Sequence, residues 1–194
     1  MPHVEARQMN SLQWRFLYFF WVLSTWSLCS AFSPNNDTLH WSRHQQITWN
    51  DFVGRPQPGS PHGAMSNVGV LLKHEQQGNQ VSFQIEAFFN KRKSWVRDDT
   101  RTDDALSHEQ GHFDIAEIYA RLLRKAISSI SSHGSTLVKK AYKEYESANA
   151  KLQECQEKYD AETEHHLNKT EQQKWDLWIA DQLRQLEAYK SSAP

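Results

Sequence analysis

The sequence lacks the marks of a strongly charged, disulfide-stabilised or repetitive protein. Lysine plus arginine and aspartate plus glutamate nearly balance, at 22 and 23 residues, and the net charge is -1. This charge and a sequence pI of about 6.8 give no indication of a nucleic-acid-binding surface. Only two of the 194 residues are cysteines, and no internal repeat is present. The length suits one domain that follows a short leader.

The one long apolar run lies near the N-terminus and is short for a membrane span, which needs about 20 apolar residues. Positive residues precede this run (residues 16–28), and small residues that end at Ala31 follow it. Residues 1–33 are therefore predicted to be a signal peptide, with an uncleaved N-terminal anchor as the alternative. The domain would be secreted or periplasmic, or anchored and facing the periplasm. Removal of the leader leaves Cys155 alone, so the mature chain forms no internal disulfide.

Residues 34–194 are predicted to form a single domain that begins with a small antiparallel sheet. Val81–Phe89 alternates between apolar and polar residues, which is the pattern of a half-buried strand. Val68–Leu72 is apolar, and the turn signal at Gln76–Asn79 joins the two segments into a β-hairpin. A third strand is expected at Ile47–Phe52. If the Val81–Phe89 strand lies at the edge of the sheet, it could pair with an extended substrate.

Three helices are predicted in the second half of the chain, so the fold class is α+β. The first helix has Thr102 near its N-cap and is expected to end near Gly134, since glycine is common at C-caps. The second carries an apolar stripe from Leu137 to Tyr159. Because Tyr159 lies on that stripe, packing in the core is a better interpretation for it than stabilisation of an oxyanion. The third helix carries Trp175 and further apolar residues.

The most specific pattern is H-E-x-x-H, formed by His108, Glu109 and His112. Residues four apart lie on one face of a helix, so the two imidazoles can bind the same metal ion. Glu109 follows the first histidine, where its carboxylate can reach a metal-bound water and act as general base. This zincin-like helix is typical of zinc proteases. The alternative interpretation is two exposed histidines on an ordinary amphipathic helix.

A catalytic zinc site of this type needs a third protein ligand, because water takes the fourth position. The candidate segment is Tyr159–His166, which the second helix can bring back beside His108 if it runs antiparallel to the first. The spacing leaves four of its residues open as the third ligand: Asp160, Glu162, His165 and His166. Asp114 is not one turn from His112, so it is interpreted as an outer acceptor or a surface acid.

These motifs together resemble a family of predicted bacterial secreted zinc-dependent proteases. The resemblance rests on the following segments: Thr48–Phe52, Ser94–Val96, His108–Glu117, the pattern Tyr159-Asp160-x-x-Thr163-x-His165, Gln173 and Trp175. It implies a Zn²⁺ cofactor whose ligands are His108, His112 and His165. It also implies that Glu109 is the catalytic base. The family commonly has a glycine where this chain has His166.

The resemblance therefore predicts an exported zinc metallopeptidase that acts on a peptide or protein substrate. No nucleic-acid partner is predicted, and a membrane contact is expected only through an uncleaved leader. Two other functions use the same residues: a zinc amidase for cell-wall or other non-protein amides, and a non-catalytic exported module with structural zinc. A fourth protein ligand, such as His166 beside His165, would close the site and favour the structural function.

Overall fold

A small antiparallel sheet is followed by three long helices in the computed structural model, which describes residues 37–42 and 46–191. The predicted α+β class is therefore confirmed. The predicted signal peptide and its cleavage site lie outside the described residues. Within the described part of the chain, no helix is both long enough and apolar enough to cross a membrane.

The strands form two antiparallel sheets. The strands of the described residues are β1 (Thr38–His40), β2 (Ala64–Met65), β3 (Val68–Gln77), β4 (Gln80–Asn90) and β5 (Trp95–Val96). One sheet has the order β1-β4-β3, and the other pairs β2 with β5. β3 and β4 form the predicted hairpin, in which Val68 lies opposite Phe89. Gly78 lies in the hairpin turn with a φ of 60°, a conformation that glycine adopts without a steric penalty.

One detail of the predicted sheet is wrong, the third strand at Ile47–Phe52. Trp49–Asp51 forms a 3-10 helix rather than a strand. The carboxylate of Asp51 accepts hydrogen bonds from the amide and the hydroxyl of Thr48, at 2.9 and 2.8 Å, and such local bonds compete with strand pairing. The third strand is instead β1, which pairs with the end of β4. β1 pairs only with Phe88–Asn90 of β4, so the condition for substrate pairing fails at that end of the Val81–Phe89 strand.

The three predicted helices are α1 (Asp103–Ser128), α2 (Gly134–Thr163) and α3 (Lys169–Gln185). Thr102 is the N-cap of α1, and its hydroxyl oxygen accepts a hydrogen bond from the Ala105 amide at 3.1 Å. The predicted end of this helix near Gly134 is wrong. Gly134 instead begins α2, with a φ of 52°, and its amide donates to the carbonyl of Asn79 at 3.2 Å. This contact ties the start of α2 to the hairpin turn.

The hydrophobic core lies between the three-stranded sheet and the helices. Its sheet side includes Ile85, Ala87 and Phe89 of β4, which are buried and alternate with less buried residues. Phe89 packs against Phe113 of α1, with ring centroids 6.0 Å apart. Burial of one such side chain contributes about 1.5–3 kcal/mol. These contacts hold the middle of α1 against the sheet.

A buried ion network fixes the second half of α1. Arg121 donates from Nε to Glu117 Oε1 at 2.9 Å, and from Nη1 to the Leu183 carbonyl of α3 at 2.7 Å. Arg124 donates from Nη2 to the Ile85 carbonyl of β4 at 2.7 Å. A buried charge is tolerated when it is paired and hydrogen-bonded. The network therefore orients α1 about its axis, and with it the face that carries the H-E-x-x-H residues.

Candidate metal centre

The two motif histidines lie inside the protein, one turn apart on α1. Their ring centroids are 4.8 Å apart. The side chain of His108 is 3% exposed and that of His112 is 12% exposed. This burial excludes the alternative in which both histidines are exposed on a helix surface.

Ring nitrogens of three histidines converge on one carboxylate oxygen, Oδ1 of Asp160. His108 Nε2 lies 3.0 Å from this oxygen and His112 Nε2 lies 2.9 Å from it. His165 Nδ1 lies 3.3 Å from the same oxygen. Ligand-type atoms of His108, Asp160 and His165 all lie within 4.8 Å of one another. Of the four candidates for the third ligand, the structure therefore brings two, Asp160 and His165, to the motif.

The other two candidates have different surroundings. Glu162 Oε2 accepts a hydrogen bond from the indole N–H of Trp175 at 2.9 Å, so its carboxylate is engaged with α3. The His166 ring lies 6.1 Å from the His108 ring, centroid to centroid. Among the described residues, the group of mutually close ligand atoms consists of His108, Asp160 and His165, so it includes neither Glu162 nor His166. His112 is also outside this group and joins the cluster through its 2.9 Å contact with Asp160.

A turn with unfavourable backbone angles presents His165 to this cluster. After α2 ends at Thr163, the φ angles of Glu164, His165 and His166 are 50°, 51° and 76°. This left-handed conformation costs a non-glycine residue roughly 1–2 kcal/mol. The His165 amide donates to the Asp160 carbonyl at 3.0 Å, which holds the turn against the helix end. The φ of 76° at His166 is an angle that glycine adopts without a steric penalty.

The charged groups of the cluster shift one another's pKa. Burial raises the pKa of Asp160, but hydrogen bonds to His108 and His112 and their charges outweigh burial and hold it well below the usual 3.8. Burial lowers the pKa of His112, but the hydrogen bond and charge of Asp160 and the charge of Glu109 raise it above 6.5 overall. The surroundings of Asp160 Oδ1, which all three ring nitrogens contact, therefore favour a positive charge.

Glu109 supplies a buried carboxylate oxygen that has no partner in the described part of the chain. The residue is 6% exposed, and no hydrogen-bond donor of the described residues reaches its Oε2. An unsatisfied buried polar atom costs about 1–3 kcal/mol, and more when it is charged. Such an atom points to a partner from outside the chain, such as water or a ligand. Three imidazoles, one carboxylate and this free oxygen form a donor set that fits zinc.

Tyr159 forms the wall behind the histidines and is fully buried, which confirms its interpretation as a core residue. Its ring stacks on that of His108 at 4.5 Å, and its hydroxyl donates to the His108 carbonyl at 3.2 Å. Burial raises the pKa of the hydroxyl, so it stays protonated. A Cβ added at Gly111 would lie 2.3 Å from the Tyr159 hydroxyl oxygen. Glycine within the motif therefore permits this close approach.

Asp114 is an internal acceptor of the fold. It accepts hydrogen bonds from the indole N–H of Trp41 at 2.6 Å and from Gln110 Nε2 at 2.8 Å. Oε1 of Gln110 in turn accepts from the Ile47 amide at 2.9 Å. Burial raises the pKa of Asp114 even though these bonds lower it. Asp114 therefore joins α1 to Trp41 directly and to Ile47 through Gln110, and it is not a surface acid.

Two glutamines complete the site, and neither belongs to a motif of the sequence. Gln172 of α3 has its Oε1 3.1 Å from His108 Nδ1. Gln156 of α2 has its Oε1 in contact with His112 Nδ1. Gln156 lies four residues before Asp160, so helical spacing could have placed it on the same face. No comparable spacing signal links Gln172 to the motif.

A family model matches the middle of the chain. It is described as a bacterial protein of unknown function (DUF922) and matches residues 84–166. The DUF922 segment runs from β4 to His166, so it includes the H-E-x-x-H motif, Asp160 and His165. No curated protein and no solved structure matches the chain. The description of DUF922 names no activity, so the zinc protease implied by the resemblance stays a prediction.

Proposed function

We propose that this protein is an exported zinc-dependent metallopeptidase. The observation that carries the proposal is the buried, unpaired Oε2 of Glu109 on the helix whose two histidines converge with a third on one point. His108, His112 and His165 would hold the metal. Zinc, when bound, would supply Lewis-acid chemistry, since it lowers the pKa of a water molecule and polarises a carbonyl group.

Glu109 would carry the proton through the reaction. Its Oε2 is free of protein donors among the described residues, so it can accept a proton from water and later donate it to the leaving amine. General acid-base catalysis of this kind contributes roughly 10²- to 10⁴-fold to the rate. A zinc amidase for non-protein amides would use the same residues in the same roles, and the identity of the cleaved substrate distinguishes the two enzymes.

One observation favours a second function, a non-catalytic zinc-binding module. Asp160 Oδ1 lies 2.9–3.3 Å from nitrogens of all three histidines, so Asp160 could serve as a fourth protein ligand. Four protein ligands close a zinc site and are typical of structural zinc. The unpaired oxygen of Glu109 has no role in such a module, and for this reason we place the enzyme first.

The substitution Glu109→Gln tests the enzyme. It keeps the side-chain volume and the hydrogen-bonding capacity, but it removes the basic carboxylate. Zinc content should stay near wild type, while cleavage of a peptide found by library digestion should fall roughly 10²-fold or more. Glu144→Gln changes an exposed glutamate of α2 and serves as the matched control.

Two results would count against the enzyme. The first is hydrolysis at the wild-type rate by pure Glu109→Gln protein. The second is a zinc-loaded protein that cleaves nothing in libraries of peptides and of cell-wall amides. The second result, together with loss of bound zinc in Asp160→Ala, would favour the structural module with four protein ligands.

A further inference from the structure

The two glutamines that contact the motif histidines can determine which ring nitrogen carries the proton. We infer that Gln172 and Gln156 are positioning residues that hold His108 and His112 in the Nδ1–H tautomer. In that tautomer, the Nε2 atoms that face Asp160 are free to bind a metal. The metal-binding part of this inference rests on the proposed zinc site.

The orientation of the Gln172 amide follows from its neighbours. Its Nε2 lies 2.7 Å from the Tyr159 hydroxyl and 2.8 Å from Asp176 Oδ1. A carboxylate can only accept a hydrogen bond, so the NH₂ group must face Asp176. Oε1 of Gln172 therefore faces His108 Nδ1, and this nitrogen must donate.

A second contact of His108 agrees with this assignment. The Thr163 hydroxyl lies 3.5 Å from His108 Nδ1, and it donates its own hydrogen to the Tyr159 carbonyl at 2.6 Å. Toward the imidazole, Thr163 can therefore only accept. Both polar neighbours of this nitrogen are acceptors, and the Gln172 contact, at 3.1 Å, is the shorter of the two.

The orientation of the Gln156 amide is fixed in the same way. Its Nε2 lies 3.0 Å from the backbone carbonyl of His112, which can only accept a hydrogen bond. The NH₂ group faces that carbonyl, so Oε1 faces His112 Nδ1 and accepts from it. One side chain thus holds both the backbone and the ring of His112.

The tautomer matters because it decides which nitrogen has a lone pair. Free histidine favours the Nε2–H form, so an imidazole without an acceptor at Nδ1 would direct a proton toward Asp160. Zinc-binding histidines commonly donate their other ring N–H to a carboxylate, carbonyl or water, and loss of that acceptor weakens metal binding about 10- to 100-fold. Here, the acceptors would be the side-chain amide oxygens of Gln172 in α3 and Gln156 in α2.

Zinc affinity, measured by competition with a chelator, tests the effect on the metal. Gln156→Met and Gln172→Met keep the side-chain length and remove the acceptor, so each should weaken zinc binding about 10- to 100-fold. Gln172→Glu/Asp176→Asn keeps an acceptor toward His108 and restores a donor–acceptor pair between positions 172 and 176, so it should bind zinc more tightly than Gln172→Met. Gln153→Met and Gln173→Met change exposed neighbours and should leave the affinity unchanged.

The tautomer itself is read from a long-range ¹⁵N–¹H spectrum of the histidine rings. In the metal-free wild type, the Asp160 carboxylate accepts from the Nε2 side of both rings and competes with the glutamines. The spectrum is therefore recorded on metal-free Asp160→Ala at alkaline pH, where the rings are neutral, and His108 and His112 of that protein should both show the Nδ1–H pattern. Each Met substitution, added to Asp160→Ala, should move its own histidine toward the Nε2–H form. A glutamine that serves only to pack helices would change stability without this selective change.

An Nε2–H pattern for both histidines in metal-free Asp160→Ala would overturn the inference. So would unchanged zinc affinity in both Met variants. If the wild type binds no zinc, the proposed function fails, and the ring spectrum alone then decides whether the glutamines set the tautomer. If a Met variant does not fold, the spectrum of Asp160→Ala and the zinc affinity of Gln172→Glu/Asp176→Asn decide instead.

Discussion

Replacement of Gly111 by alanine tests the close packing inside the H-E-x-x-H motif. Gly111 is buried in the interior of α1, where an ordinary glycine weakens a helix by about 1 kcal/mol relative to alanine. At an unobstructed position the substitution would therefore stabilise the protein. At this position the new Cβ would lie 2.3 Å from Oη and 2.8 Å from Cζ of Tyr159, so one of the two residues must move.

The energy terms oppose one another, and packing should prevail. Overpacking of a core costs about 1–3 kcal/mol. Displacement of Tyr159 would also break two hydrogen bonds of its hydroxyl, to the His108 carbonyl and to Gln172, at about 0.5–1.5 kcal/mol each. After about 1 kcal/mol is subtracted for the gain in helix propensity, Gly111→Ala should destabilise the protein by about 1–5 kcal/mol.

Urea unfolding of the metal-free protein, followed by circular dichroism, measures this change. Tyr159→Phe is the control, because it removes the hydroxyl without adding a Cβ. The double variant Gly111→Ala/Tyr159→Phe should lose less than the two single variants together, since the 2.3 Å contact is gone. A more stable Gly111→Ala protein would refute the packing argument.

Three further predictions concern the network, the turn and the charges. Glu117→Gln removes the buried charge partner of Arg121 and leaves only the longer contact to Glu187 at 3.3 Å. It should lower the free energy of unfolding by about 3–5 kcal/mol, whereas Lys174→Gln, at an exposed pair, should change it by less than about 1 kcal/mol. Equal effects in urea unfolding would argue against the network. His166 has a φ of 76°, which glycine adopts without strain, so His166→Gly should stabilise the protein by about 0.5–1 kcal/mol. The gain is smaller than the strain energy because glycine loses more chain entropy on folding. A less stable variant would show that the turn is unstrained. In metal-free protein, the raised pKa of His112 contributes stability below pH 6.5 that is lost as pH rises through the raised value. The lowered pKa of Asp160 contributes stability above pH 3.8 that is lost as pH falls. Unfolding free energies should thus fall above pH 6.5 in the wild type but much less in Asp160→Asn, and parallel curves would contradict the pairing.

The features that could be predicted from the sequence depend on local patterns. The alternation in Val81–Phe89, the turn at Gly78 and the stripe of α2 each reflect the periodicity of one element, and the structure confirms all three. The H-E-x-x-H spacing predicts two imidazoles on one helix face for the same reason. Thr102 is predictable as the N-cap because a capping side chain acts within three residues of its position.

The features that could not be predicted depend on contacts between distant segments. β1 has three residues, too few for a period-two pattern, and it exists because the end of β4 pairs with it. The choice among the residues of the third-ligand segment depends on the left-handed turn after Thr163, which sequences without glycine rarely signal. Gln172 reaches His108 across 64 residues, and only the packing of α3 on α1 brings the two together.

The zinc content of the purified protein tests the central claim most directly. We expect about one zinc per chain in the wild type, in Glu109→Gln and in His133→Ala, an exposed-histidine control. His108→Ala and His112→Ala should each lose the metal. Full zinc occupancy in a protein that carries both of the last two substitutions would contradict the metal site described here.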